Sequence, residues 1–237
     1  MHSSKAMTDP NLPSAKGGAR ADPLPSWRPL PSAIVTSAAY AALYALANHL
    51  TSLRSDVGQG VFAWERAIPF VGWSVVPYLS ICAFFIGSFF VDPNGERLRR
   101  HVLRLFILLL LSLICYAAFP LRFTFERPHT EGLIGLMFQA LAWFDMPYNR
   151  APSLHIGVLV LLWARFAPRL QGWSALALHA WFALIAVSVL TTYQHHVLDV
   201  PAGAAVGMAS ILLTARPVAL RTAGRRRLRC ASSRAAA

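Results

Sequence analysis

The chain has 237 residues, 56% of them hydrophobic and 14% charged, with a mean hydropathy of +0.47. That balance excludes an ordinary soluble domain, which needs more polar surface, and places the chain in a bilayer. A formal charge of +12 raises nucleic-acid binding, but the basic residues follow the ends of apolar segments, so no nucleic-acid partner is expected.

Residues 1–30 are polar and rich in Pro, Ser and Gly, lack the charged-then-apolar start of a cleavable signal, and read as a disordered cytoplasmic tail. Apolar stretches follow at 33–50, 69–91, 102–119, 153–167, 173–191 and 197–215. Most approach the roughly 20 residues that cross a hydrocarbon core. They predict an all-α polytopic membrane protein, a bundle of six transmembrane helices over residues 31–216, with a basic cytoplasmic tail at 217–237. The Ala-rich first stretch and the fourth, cut short by Arg165, carry the weakest signals. Residues 131–144 are apolar, too short to span and contain two glycines, so they read as interfacial or re-entrant.

Placing the N-terminus in the cytoplasm puts 16 of the 22 Lys and Arg on the side of the tails and five on the opposite side: Arg54, Arg66, Arg122, Arg127 and Arg150. Arg104 falls inside the third helix. This bias predicts both termini inside, with Arg225, Arg226 and Arg227 anchoring against anionic lipid. Cys82 and Cys115 lie in apolar segments and Cys230 in the tail, which is no disulfide framework. Gly203 and Gly207 read as a close helix-packing face.

Counting crossings brings three polar groups to one membrane face opposite the tails: Arg122 and Arg127-Pro128; Arg150, Ser153 and His155; His195 and Asp199. Ionisable groups at such depth are functional by default. His195 and Asp199, four apart, would share a helix face, with the carboxylate accepting the Nδ1 proton and leaving Nε2 bare. Pro201 would free the carbonyl of Val197 and bend the helix start. Pro152 and Ser153 suit a helix N-terminus, a ready phosphate site, and His155 one turn in could act as general acid. The arginines offer permanent charge to phosphoryl oxygens.

Pro152-Ser153-Leu154-His155 and His195-x3-Asp199, preceded by Arg127-Pro128, resemble the signature motifs of the type-2 phosphatidic acid phosphatase superfamily. The resemblance covers about residues 67–215. It implies a lipid phosphate substrate, an extracytoplasmic site in a bacterial inner (plasma) membrane and no cofactor or metal. By the same carry-over His195 attacks phosphorus, Asp199 orients it, His155 protonates the leaving group and Arg127 holds the phosphate; Ser153, Arg122 and Arg150, beside these motifs, are further candidate phosphate contacts. Two family positions differ: Pro120 stands where the first motif has lysine, and Val189, after Ser188, where the third has arginine. Gln194-His195-His196 is closer to the branch of inositol phosphorylceramide synthases, which makes transfer to an alcohol an alternative to hydrolysis. Oligomeric state is left open.

His155 and His195 alone also allow a haem- or metal-binding membrane protein, a reading from another class, although Pro-Ser before one and Asp after the other fit phosphoryl transfer better. A soluble vanadate haloperoxidase is disfavoured by the six apolar segments. His196 is expected to pack or bond locally, His179 to be a satisfied core histidine, and Trp64 and Trp173 to suit interfacial belts. Arg216-Pro217 repeats the Arg-Pro dipeptide on the wrong face. Cys230 lacks the Cys-x5-Arg loop of cysteine phosphatases, since Ala236 follows at that spacing.

Overall fold

The computed structural model describes residues 27–92, 95–144 and 147–215. The tails predicted at 1–30 and 217–237 fall almost wholly outside the described residues, as do Arg216-Pro217, the Arg225 to Arg227 cluster and Cys230. Among the described residues the protein is all-α, with seven helices: α1 Pro29–Ser52, α2 Val75–Gly87, α3 Gly95–Ala118, α4 Gly132–Phe144, α5 Leu154–Phe166, α6 Gly172–Thr191 and α7 Asp199–Leu213. Two isolated bridges, Gly58 with Leu121 and Arg122 with Tyr148, tie the connecting segments together.

Helices α1, α3 and α6 are long and apolar enough to cross a membrane. The other apolar segments form shorter helices than the sequence predicts. The stretch at 69–91 spends its start on a 3₁₀ turn at Gly72–Ser74 and becomes helical at Val75. The last stretch begins its helix at Asp199 rather than 197.

Local chemistry sets these boundaries. Pro29 opens α1, where its missing N–H is not needed. Glu96 in the first turn of α3 complements the helix dipole and pairs with Arg99 and Arg100 one turn on, at 3.2 and 3.4 Å. Ser153 caps α5, its Oγ accepting the Ile156 N–H at 3.3 Å. Pro201 is the third residue of α7, within the first turn, so it does not break a formed helical ladder; the Val197 carbonyl accepts the Val200 N–H instead.

Helices α5 and α7 form the central seam, and glycine makes it possible. A Cβ on Gly203 would lie 2.3 Å from the Ser153 carbonyl oxygen, and one on Gly207 2.8 Å from that of Gly157. These are the small residues that let two backbones touch. Helix α3 covers the seam, with Leu105 and Leu108 fully buried and the Tyr116 hydroxyl donating to the Pro152 carbonyl at 2.9 Å. The far end is closed by polar groups. Arg165 does not cut α5 short; it is buried inside it and donates from Nε to the Ser88 carbonyl at 2.9 Å. His101 Nε2 donates to Ser88 Oγ at 2.8 Å, and Arg97 and Arg169 both pair with Asp92.

The outward surface remains apolar. Leu30, Ile34, Val35, Leu46 and Leu50 of α1 and Leu110 and Ile114 of α3 are exposed, as are Trp64 and Trp173. An apolar exterior of this extent marks a membrane-embedded protein rather than a water-soluble one. Helix α4 buries Phe138 and Leu141 and exposes Leu133, Leu136 and Trp143.

Candidate functional site

Three segments meet at one end of the bundle. They are the loop 121–128 after α3, the residues 147–155 leading into α5, and the connection 192–198 between α6 and α7. The structure therefore gathers the three polar groups that are far apart in sequence.

His195 does not lie on a helix, as the four-residue spacing suggested. It sits in the connection, and Asp199 is the first residue of α7. The contact forms nonetheless: His195 Nδ1 lies 3.2 Å from Asp199 Oδ2 and 3.2 Å from the Arg150 carbonyl oxygen. Both oxygens can only accept, so Nδ1 carries the proton and Nε2 is the bare nitrogen. Asp199 Oδ2 also accepts the His196 N–H at 2.8 Å, while its carbonyl accepts the Ser153 N–H at 3.0 Å. Burying that carboxylate, 1% exposed, is thus offset by charge-assisted hydrogen bonds and by the positive end of α7.

The connection is shaped by its neighbours. The Val189 carbonyl accepts from the N–H groups of both Gln194 and His195, and Tyr193 sits at φ 54°, a left-handed conformation costly for a bulky residue. Its hydroxyl donates to the Ile68 carbonyl at 2.9 Å and its ring meets Phe70 and Phe125, which hold it there.

Arg150 and Arg127 are turned towards this loop. Arg150, buried, donates from a terminal nitrogen to the Gln194 carbonyl at 2.9 Å. Arg127 donates to the carbonyls of Thr192 and Tyr193 at 3.2 and 3.4 Å, with its guanidinium 4.9 Å from the Phe138 ring centre. Arg122 differs: its side chain is exposed and its backbone serves the bridge to Tyr148. Ser153 is fully buried, and its hydroxyl caps α5.

His155 stacks on Tyr78 at 4.1 Å between ring centres and 19° between planes, and its buried Nε2 has no hydrogen-bond partner. His155 and His195 both line one largely apolar cavity of about 420 Å³, walled also by Tyr40 and Tyr44 of α1 and Tyr78, Ile81 and Phe85 of α2. A volume of that order suits a small-molecule or hydrocarbon ligand. The chemistry available is then a bare imidazole nitrogen, a second imidazole nitrogen awaiting a partner, and an apolar chamber adjoining both. Among the described residues no three His, Cys, Asp or Glu side chains cluster as a metal site would require.

His196 turns away from His195 as expected, but its bond is not local. Its Nδ1 lies 2.9 Å from Oε2 of Glu65, 131 positions earlier, and its ring stacks on Phe123 at 4.4 Å. His179 is satisfied by the Trp163 N–H at 2.7 Å, yet it is exposed on the flank of α6 and not in the core. Sequence reasoning missed Glu65, Tyr78 and Tyr193. Only Glu65 left a trace: a carboxylate between Trp64 and Arg66, just ahead of an apolar stretch, in a chain with ten acidic residues.

A scan against known protein families finds no family that matches the chain, and a search of curated proteins finds no match either.

Proposed function

We propose that the protein is a membrane lipid phosphate phosphatase, similar to the type-2 phosphatidic acid phosphatase superfamily, that works through a phosphohistidine. One observation carries the reading: His195, with Nδ1 held by Asp199, and His155, with an unpartnered Nε2, line the same apolar cavity. A lipid tail fits such a chamber, and a phosphate at its mouth would meet both imidazoles.

In the reaction His195 Nε2 attacks phosphorus in line, the bond from phosphorus to the ester oxygen breaks, and His155 gives its proton to the departing alcohol. Water then attacks the phosphohistidine, His155 takes a proton from it, and inorganic phosphate leaves as His195 is restored. Arg127 and Arg150 reach the loop around His195 and would bring permanent positive charge to the phosphoryl oxygens. Arg127 is the arginine matched in the first motif, and Arg150 would compensate for the lysine and arginine replaced here by Pro120 and Val189.

The six-pass topology belongs to the same proposal. Helices α1, α2, α3, α5, α6 and α7 would cross in alternating directions with both termini cytoplasmic and the site outside. Thirteen residues of α2 or α5 extend only about 20 Å at 1.5 Å per residue. Short crossings would set the site loops below the membrane surface, where irregular backbone is tolerated because protein surrounds it.

The test is to assay the purified full-length chain against a panel of lipid phosphates, with and without alcohol acceptors, and to trap the acid-labile phosphoenzyme. Release of phosphate without an acceptor supports a phosphatase; turnover only with an alcohol moves the assignment to a phosphotransferase. Activity should survive chelators, since histidine itself attacks phosphorus. Loss on chelation with recovery on adding one metal would remove the phosphohistidine reading.

A further inference from the structure

Glu65 is 1% exposed and belongs to the 3₁₀ turn Ala63–Ala67, outside every motif that the proposed chemistry uses. A buried carboxylate is costly unless its lone pairs are filled, and here they are. Oε1 accepts the Phe62 N–H at 2.9 Å, and Oε2 accepts both the Val197 N–H at 3.1 Å and the His196 Nδ1–H at 2.9 Å. With the proton on Nδ1, His196 Nε2 can only accept, and Thr124 Oγ1 lies 3.3 Å away to donate. His196 is clamped on both faces of this line, stacked on Phe123 and edge-on to Phe125 at 5.0 Å.

The chain of bonds Glu65, His196, Thr124 crosses three segments. It starts in the 3₁₀ turn before α2, passes through the residue next to His195, and ends in the segment that carries Arg127. It also runs beside a second line of the same kind, Asp199 with His195, and the two share the backbone of residues 195–197: Asp199 holds the His196 N–H and Glu65 holds the Val197 N–H. Two successive histidines each carry their own buried carboxylate.

We infer that Glu65 is a positioning residue, which through His196 and Thr124 fixes the His195 loop against the arginine-bearing segment. The inference rests on the proposed phosphohistidine chemistry for what it positions, but not for the bonds themselves. Neither Glu65 nor His196 lines the cavity, so substrate binding is left alone while the alignment of His195 with phosphorus depends on them.

Two measurements test it on the full-length protein in lipid nanodiscs. The first needs no substrate: ¹⁵N imidazole shifts should show His196 protonated at Nδ1, and Glu65→Leu, which removes both acceptor oxygens, should lose that preference. A wild-type His196 protonated at Nε2, or no change in the variant, overturns the inference whatever the protein catalyses. The second is kinetic and compares variants that leave the backbone contacts of Glu65 intact. His196→Asn keeps a donor near the Nδ1 position and loses Thr124, and Thr124→Val loses the hydroxyl alone. Each should lower kcat with KM within twofold, by about 10- to 100-fold, the scale for partners that orient a functional imidazole. Thr124→Ser should restore the rate, and the Thr124→Val and His196→Asn double variant should be no worse than its worse single, as members of one unit are. Unchanged kcat in both single variants, or rates that multiply, overturns it. If the wild-type protein acts on no lipid phosphate, the functional reading falls, and the ¹⁵N measurement still decides whether Glu65 sets the His196 tautomer.

Discussion

His195 and His155 differ in what surrounds them, and that difference separates their roles. His195 has Nδ1 between two oxygens that only accept, which puts the proton of a neutral ring on Nδ1 and leaves Nε2 available. His155 lines the same cavity, its buried Nε2 has no hydrogen-bond partner, and an aromatic ring lies against its face. Attack requires His195 without its second proton, so the rate falls as pH drops; leaving-group protonation requires His155 charged, so the rate falls as pH rises. A bell-shaped kcat profile is expected, and His155→Ala should lose the alkaline limb while keeping the acidic one. His195→Ala should abolish turnover and the phosphoenzyme together. His155→Ala should cost about 10²- to 10⁴-fold with a natural lipid, and much less with a nitrophenyl ester whose leaving group needs no proton. Equal losses on both esters, or a phosphoenzyme formed by His195→Ala, would reverse the two assignments.

At the scale of elements, the site exists because α5 and α7 touch. The Ser153 N–H bonds the Asp199 carbonyl at the point where Gly203 meets the Ser153 carbonyl, so the seam that packs the helices also brings the Pro-Ser-x-His and His-x3-Asp segments together. Gly203→Ala would force a methyl to 2.3 Å from backbone oxygen, which neither helix can yield without separating. Overpacking of this kind costs about 1 to 3 kcal/mol, and it should lower the thermal midpoint and activity together. Gly87→Ala is the control: its Cβ would meet only the Phe166 ring at 4.0 Å, so midpoint and activity should stay near wild type. A Gly203→Ala protein as stable as wild type would show that the seam can relax. The sequence made this seam legible through the four-residue glycine spacing, and it made the all-α class legible through long apolar runs. It could not show where helix ends and loop begins near the site. The run 192–198 is as compatible with a helix as its neighbours, and only the left-handed Tyr193, held by Phe70, Phe125 and the Ile68 carbonyl, turns it into a loop. The same holds for Arg122, Arg127 and Arg150. Their residue types made them candidates for holding phosphate, but whether each faces the loop or the solvent follows from packing partners many positions away. Glu65 is the limiting case, since a carboxylate 131 positions from its histidine leaves no spacing to read.

At the scale of the whole molecule, the two ends of the bundle carry different polar groups. The site end gathers His155, His195 and Asp199, whereas the other end holds Arg97, Arg165, Arg169 and Asp92 around Ser88. The bias of 16 Lys and Arg to five favours the second end, the side of the tails, so that end should be cytoplasmic and the first extracytoplasmic. The exposed His129 lies in the segment between the site loop and α4, which makes it a suitable reporter of the first end. In a background with Cys82, Cys115 and Cys230 replaced by serine or alanine, His129→Cys should react with a membrane-impermeant thiol reagent in intact cells, and a fluorescent reporter fused after Ala237 should be active only in the cytoplasm. The two probes constrain each other, because an even number of segments separating them in the membrane would put them on one side. The region from α5 to α7 supplies three candidate crossings, so opposite-side labelling is what three spans after His129 require. If His129→Cys is labelled only in inverted vesicles while the C-terminal reporter remains cytoplasmic, one of α5, α6 and α7 does not cross, and the 13-residue α5 is the first to doubt. If both probes exchange sides, the number of crossings stands, but the lipid phosphate would have to be presented from the cytoplasmic leaflet.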